Sequence, residues 1–439
     1  MKIFKDYPVF WLILFVVMEL GFHTWWHKQW GEYANPTVLL LAGLMICWIA
    51  YRLVVVKNQP IPISTQDSSN LYRKLLVFGI FAAGVIFVGI EYHEIQLKYP
   101  VSEDGTNSDV IPSLILYVRR FLSGEYPYQP LEFAGWTVLP TYFPMMWLPY
   151  CFSEIMEIDY RWTAYLVFLI PLFIYQYRLT RQDLSLAELG VKAAFPFLVL
   201  YVFMSYIDHS FGYGVELMPI GLYFFLTLVL DKKSPWLIAI PIVFVLLSRY
   251  AFTFWLPVFL LTIWIEKGFF KVFKISLWVL AGVLMLYVIP FLSKDWEVLT
   301  NGLKYYATTA ESVWVPAPWQ DASEKPTLMT NGMSHAIYFY DFVEGVPKEK
   351  LGVNRLFHLS VCLIAALLLF LGYWKNRKKG LNIPLYFLIG LKFYILIFYS
   401  FFYVPFRYLY QLPVLLTIPI LYHIPLFSKE YWGSRSEDL

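Results

Sequence analysis

Charge is what this 439-residue chain has least of. Only 15% of it is Asp, Glu, Lys or Arg, against roughly 25% in a soluble globular domain, so a water-soluble enzyme or binding module is excluded. The formal net charge of +3 is too small to suggest nucleic-acid binding. Cysteine is equally scarce. Cys47, Cys151 and Cys362 all sit in apolar contexts, and no disulfide framework or metal cluster is apparent. Ten-residue segments of alternating polarity are missing, which excludes an outer-membrane barrel. No internal repeat is visible, which weakens a transporter built from inverted repeats.

What fills the chain instead is 59% hydrophobic and 20% aromatic residues. Long apolar runs imply an all-α polytopic membrane protein of about twelve spans. The runs lie near 8–24, 37–56, 75–92, 161–178, 191–207, 215–231, 234–248, 250–265, 273–292, 355–373, 384–403 and 407–425. The seventh and eighth are short enough to be one broken helix. The first reads as a retained helix, because no small-residue cleavage site follows it. With a cytoplasmic N-terminus, strict alternation places 57–74, RLTRQD (178–183), DKK (231–233), EKGFFKVFK (266–274) and KNRKK (375–379) inside. Nearly every dense basic cluster then lies on one side, as orientation by positive charge requires, and the C-terminus is cytoplasmic too.

Counting TVLPTYFPMMWLPYCF (137–152) as a span would move three of those clusters outside. Its three prolines favour a re-entrant or surface-lying segment, acceptable where protein or a water-filled cavity covers the backbone. Residues 93–160 then form one extracytoplasmic structure between the helices of 1–92 and 161–293. Within it, SDVIPSLILYVRRFLSGEYPYQP (108–130) reads as an interfacial helix over 110–123. Asp109 suits its N-cap, Pro112 its first turn and Gly124 its end. Ile111, Leu114, Ile115, Val118, Phe121 and Leu122 fall on an apolar side, with Ser113, Tyr117, Arg120 and Ser123 largely on another. The stretch 294–354, containing WVPAPWQ, reads as a loop-like cap over a site; 355–439 holds the last helices and a cytoplasmic tail.

The polar groups that this topology brings to one face are the informative set: Glu91, His93 and Glu94 at the end of the third run, Glu103 and Asp104, Asp109, Asp208, His209, Glu216, Arg249 and Arg407. Arginine matches phosphate oxygens with a planar fork and stays charged in a poorly solvated site. A neighbouring carboxylate can take a proton from a hydroxyl. Each residue also has a plainer role, as helix cap, turn residue or snorkelling cation. Glu19 and Lys392 fall inside apolar runs, where an ionisable group is functional or paired. Glu103 and Asp104, in SEDGTNSD, are candidates for a divalent metal (Mg or Mn), although their spacing is not that of a calcium loop.

The run SD-x7-Y-x6-GEYPY, followed by PTYFPMMWLPY, resembles the first outer loop of membrane glycosyltransferases of the C-type fold (GT-C), in particular the bacterial polyprenyl-phosphate-mannose-dependent branch. Asp109, Tyr117, Gly124, Pro127, Tyr128, Tyr142 and Pro144 occupy the matching positions; Phe143 stands where the family pattern has a further proline. The resemblance is clearest over 109–180. It implies a GT-C-like fold in a bacterial inner (plasma) membrane and an extracytoplasmic site. There a sugar passes from a polyprenyl-phosphate donor to a lipid or glycan acceptor with inversion. It assigns Asp109 as general base. It also implies Tyr117, Tyr128 and Tyr142 as substrate contacts; topology adds Arg249 and Arg407 for the donor phosphate, and Asp208, His209 and Glu216 as further substrate contacts. No glycine-rich nucleotide loop is present, as suits a lipid-linked donor. A flippase of a lipid-linked sugar and an O-antigen ligase or polymerase remain the alternatives.

Overall fold

The computed structural model describes residues 7–26, 29–56, 71–102, 108–133 and 136–427. All twelve apolar runs contain helix, but among the described residues six helices are long and apolar enough to cross a membrane. These are Gly31–Leu53, Leu71–Lys98, Leu186–Tyr206, Phe269–Leu292, Pro347–Lys379 and Ile383–Ser400. The other six runs are shorter, broken or more polar. The run 234–265 is two helices, Pro235–Leu246 and Trp255–Lys267, because the chain turns extended at Arg249 (φ −137°, ψ 120°). The last run is a turn, Arg407–Tyr410, and two short helices, Gln411–Leu415 and Thr417–Tyr422. Pro413 and Pro419 deny that run a continuous hydrogen-bond ladder.

The core is one contiguous apolar cluster. Its buried charges are paired: Lys392 Nζ lies 2.7 Å from Glu19 Oε1 and donates to the Pro413 carbonyl at 2.7 Å, while the Thr417 hydroxyl donates to Glu19 Oε2 at 3.1 Å. Satisfying every lone pair and proton is what makes a buried ion pair tolerable. The pair ties the helix Pro8–His23 to Ile383–Ser400, so these two residues are structural.

Between Leu71–Lys98 and Tyr160–Leu179 the chain forms the segment that positions the candidate site. The helix Val110–Leu122 closes at Gly124 (φ +80°), a left-handed position that glycine adopts without strain. Glu125 N–H donates to the Arg120 carbonyl at 2.8 Å and Gly124 N–H to that of Phe121 at 3.2 Å, satisfying the last turn. The helix is more buried than its sequence pattern predicts. Ser113 and Tyr117, expected on a polar face, are buried, while Phe121 and Leu122 are exposed. Arg120 donates to the carbonyls of Gln129 and Pro130, both at 2.8 Å. Those bonds lead into a hairpin that the sequence pattern did not reveal: Leu131–Phe133 pairs antiparallel with Trp136–Val138.

Residues 137–152 contain no helix of spanning length. The strand is followed by Pro144–Trp147, a tight turn at Leu148–Tyr150 and Cys151–Ile155. Met145 N–H donates to the Leu247 carbonyl at 2.8 Å, docking the segment on the break before Arg249. The stretch 294–354 is not the loop that its glycines and WVPAPWQ suggest. It holds the helices Glu297–Ser312, Thr327–Thr330 and Ala336–Phe342, and the helix Pro347–Asn376 begins within it.

Candidate functional site

Asp109 occupies the N-cap position of Val110–Leu122, and its carbonyl accepts the first helical bond from Ser113 at 3.0 Å. Its carboxylate does not cap, contrary to the sequence reading. Ser108 takes that part: its hydroxyl accepts from Val110 N–H at 3.3 Å and donates to the Tyr213 carbonyl at 3.2 Å. The Asp109 side chain is left uncapped; it does not itself line the two cavities that its neighbour Val110 lines. Desolvation pushes its carboxyl above the ordinary aspartate value of 3.8, partly opposed by its own backbone N–H.

Two cavities meet at this point. The first, of about 250 Å³, is walled by tyrosines: Tyr128 and Tyr142 from the segment before Tyr160, Tyr250 and Tyr287 from the middle of the chain, and Tyr306, Tyr399 and Tyr408 from the C-terminal part. Val298, Leu299, Gly302 and Leu303 of the helix Glu297–Ser312 close one side. Tyrosine presents an apolar ring face with a polar tip, which suits sugar rings and isoprenoid chains that end in a phosphate. The second cavity, of about 550 Å³, includes Ser108, Tyr206, His209, Asn331 and Arg407 in its lining. Val110, Glu216, Phe406 and Tyr408 form the wall common to both.

Arg249 is the cation of the first cavity. Its extended backbone is fixed by the Tyr223 hydroxyl, which donates to its carbonyl at 3.1 Å. Its Nη2 lies 2.5 Å from Glu216 Oε1, and its guanidinium sits beside the Tyr399 hydroxyl and 5.9 Å from the Tyr408 ring centroid. A guanidinium has five N–H donors, so pairing with Glu216 leaves donors for a ligand oxygen. Asp109 and Arg249 are close enough for both charges to act on the hydroxyls of Tyr142 and Tyr408.

The structure therefore gathers Tyr128, Tyr142, Glu216 and Arg249 around one cavity, with Asp109 next to its lining residue Val110, and not every expected residue joins them. Arg407 lines the second cavity, and it donates to the carbonyls of His23 (Nε, 3.1 Å) and Thr24 (3.1 Å) at the end of Pro8–His23. That is a favourable place for a cation on a helix C-terminus. His209 also lines the second cavity. Asp208 lines neither; it accepts from Lys98 Nζ at 2.5 Å, the Tyr99 hydroxyl at 3.0 Å and His209 N–H at 2.8 Å. Burial alone would raise its carboxyl, and these hydrogen bonds outweigh it and hold the group low. Tyr117 is fully buried behind the site, stacked on Trp147 with centroids 5.7 Å apart and edge-on to Tyr128 at 5.4 Å. Glu103 and Asp104 lie outside the described residues, and among the described residues no group of three His, Cys, Asp or Glu could hold a metal.

Sequence reasoning missed Tyr399 and Tyr408. Tyr408 directly follows Arg407 in VPFRYLYQLP, so its neighbour was the available signal. Family models, curated proteins and solved structures give no match to this chain.

Proposed function

We propose that this protein is a membrane glycosyltransferase that moves a sugar, mannose or a similar hexose or pentose, from a polyprenyl-phosphate donor to a hydroxyl of a lipid or glycan acceptor. The site faces the extracytoplasmic side of a bacterial plasma membrane, and both termini are cytoplasmic. Asp109 takes the proton of the acceptor hydroxyl as its oxygen bonds to the anomeric carbon; the bond from that carbon to the phosphate oxygen breaks, with inversion, and polyprenyl phosphate leaves. Arg249 faces the charge that develops on the departing phosphate, with donors in place before the reaction. The tyrosine walls hold the sugar and the first isoprene units.

One observation carries this reading. An open carboxylate, relieved of capping by Ser108, adjoins a tyrosine-lined cavity that also holds an arginine with donors to spare. The test is to supply the purified, reconstituted protein with polyprenyl-phosphate mannose labelled in the sugar. Label should move to acceptor with release of polyprenyl phosphate. Label that stays on the donor while crossing the bilayer identifies a flippase and overturns the proposal.

A further inference from the structure

The proposed transfer makes no use of a cavity at the opposite end of the same helices. Ile383–Ser400 places Tyr399 in the candidate site, and at its other end Asn382 and Leu385 line a cavity of about 670 Å³. At 1.5 Å per residue the two ends lie about 25 Å apart. The volume is that of a site for a small molecule, ~300–1,000 Å³.

Three cations, Arg178, Arg181 and Lys232, line this cavity against one carboxylate, Asp231, a surplus of two positive charges. The carboxylate holds its partners loosely, with Arg178 Nη1 at 4.0 Å and Lys232 Nζ at 3.9 Å from the same oxygen. Arg181 lies over the Tyr177 ring, its guanidinium carbon 4.5 Å from the centroid, which orients its planar fork. Gln182 is 5% exposed; its Nε2 donates to the Tyr422 carbonyl at 3.2 Å, and its Oε1 has no partner. A buried acceptor of that kind is unfavourable until a hydroxyl or N–H completes it. The N-terminus of Ile383–Ser400, capped by Asn382 Oδ1 on Leu385 N–H at 3.3 Å, adds its positive dipole end.

Basic residues at helix ends ordinarily serve to orient a membrane protein. A concave arrangement around an unsatisfied buried amide goes further. We infer that this cavity binds a phosphate carried on a hydroxyl-bearing group. Arg178, Arg181 and Lys232 take the phosphate oxygens, and the Gln182 carbonyl accepts from the hydroxyl. A glycerophospholipid headgroup and free glycerol phosphate share that chemistry. The inference stands apart from the transfer reaction, and its test does not read activity.

The test uses the whole protein in phosphatidylcholine nanodiscs, with melting temperature and native mass spectrometry as readouts. One arm titrates phosphatidylglycerol into the disc; the second adds soluble glycerol 3-phosphate; the third adds inorganic phosphate. A saturable rise in melting temperature with bound ligand is expected in the first or second arm, and which arm responds identifies the source. R178Q and R181Q should each weaken that binding about tenfold. Q182L should reduce the advantage of glycerol 3-phosphate over inorganic phosphate. Equal responses from wild type and R178Q/R181Q in all arms overturn the inference. Should that double variant not fold, K232Q, at a side chain 38% exposed, and Q182L take its place; unchanged affinity in both is equally contradictory.

Discussion

Asp109 is held in position by its backbone while its carboxylate is left uncapped, and the consequences are measurable. Its carboxyl is raised in the folded protein by partial burial, so folding favours the protonated form. Any stability it contributes is present below the ordinary value of 3.8 and lost as pH rises through the folded value. D109N should therefore melt no lower than wild type at neutral pH, while the wild-type transfer rate should fall on acidification at a pH above 3.8. A D109N protein that melts clearly lower would assign Asp109 a structural role instead. Asp208 behaves oppositely: its carboxyl is held low, so its contribution is present above 3.8 and fades as acid protonates it. Glu216 faces Arg249 at 2.5 Å, with 8% of its side chain exposed. E216Q leaves a partly buried guanidinium without its carboxylate and should cost about 1–3 kcal/mol in denaturant unfolding. At this scale the sequence was readable where chemistry is rare. Asp109, Glu216 and Arg249 stand out in a chain so poor in charge. Tyr399 and Tyr408 are two of 34 tyrosines; Tyr408 has Arg407 beside it as a signal, and nothing local separates Tyr399 from a tyrosine in the core.

Among the elements, the helix Glu297–Ser312 shows how a local signal misleads. Val298, Leu299, Gly302, Leu303 and Tyr306 repeat at helical spacing and line the first cavity. The Asn301–Gly302 pair nevertheless reads as a turn, and WVPAPWQ reinforces it. Glycine is there for packing. A Cβ at Gly302 would lie 2.9 Å from the Pro140 carbonyl oxygen, which is backbone and cannot swing aside. G302V should push the helix off the 137–152 segment, destabilising the protein by about 1–3 kcal/mol. It should also slow transfer; an unchanged rate and melting temperature would mean the helix is not a wall of the site. The hairpin at 131–138 escaped for a different reason: two three-residue strands are too short for alternation to register. The extent of the helix Val110–Leu122, by contrast, was legible, its C-terminal end because the left-handed Gly124 fixes where it stops, although its cap and its buried face were not.

Across the whole molecule, composition alone pointed to the class, and charge bias predicts an orientation that the apolar runs cannot supply. Glu19 and Lys392, isolated charges in two apolar runs, are a pair: 373 residues apart, they meet in the core. K392M strands Glu19 and should cost about 3–5 kcal/mol, whereas E19L/K392M should recover most of the loss, as measured by denaturant unfolding. The orientation has its own check. Reporters inserted within 57–70 and near Tyr128 should report opposite compartments, and agreement between them would contradict the charge-bias topology. The central claim, that Asp109 is the general base, is tested most directly by sugar transfer from polyprenyl-phosphate mannose with D109N, inserted at wild-type levels and folded. Loss of transfer by about a hundredfold or more, with donor binding retained, is the expected result. Transfer at the wild-type rate would contradict it.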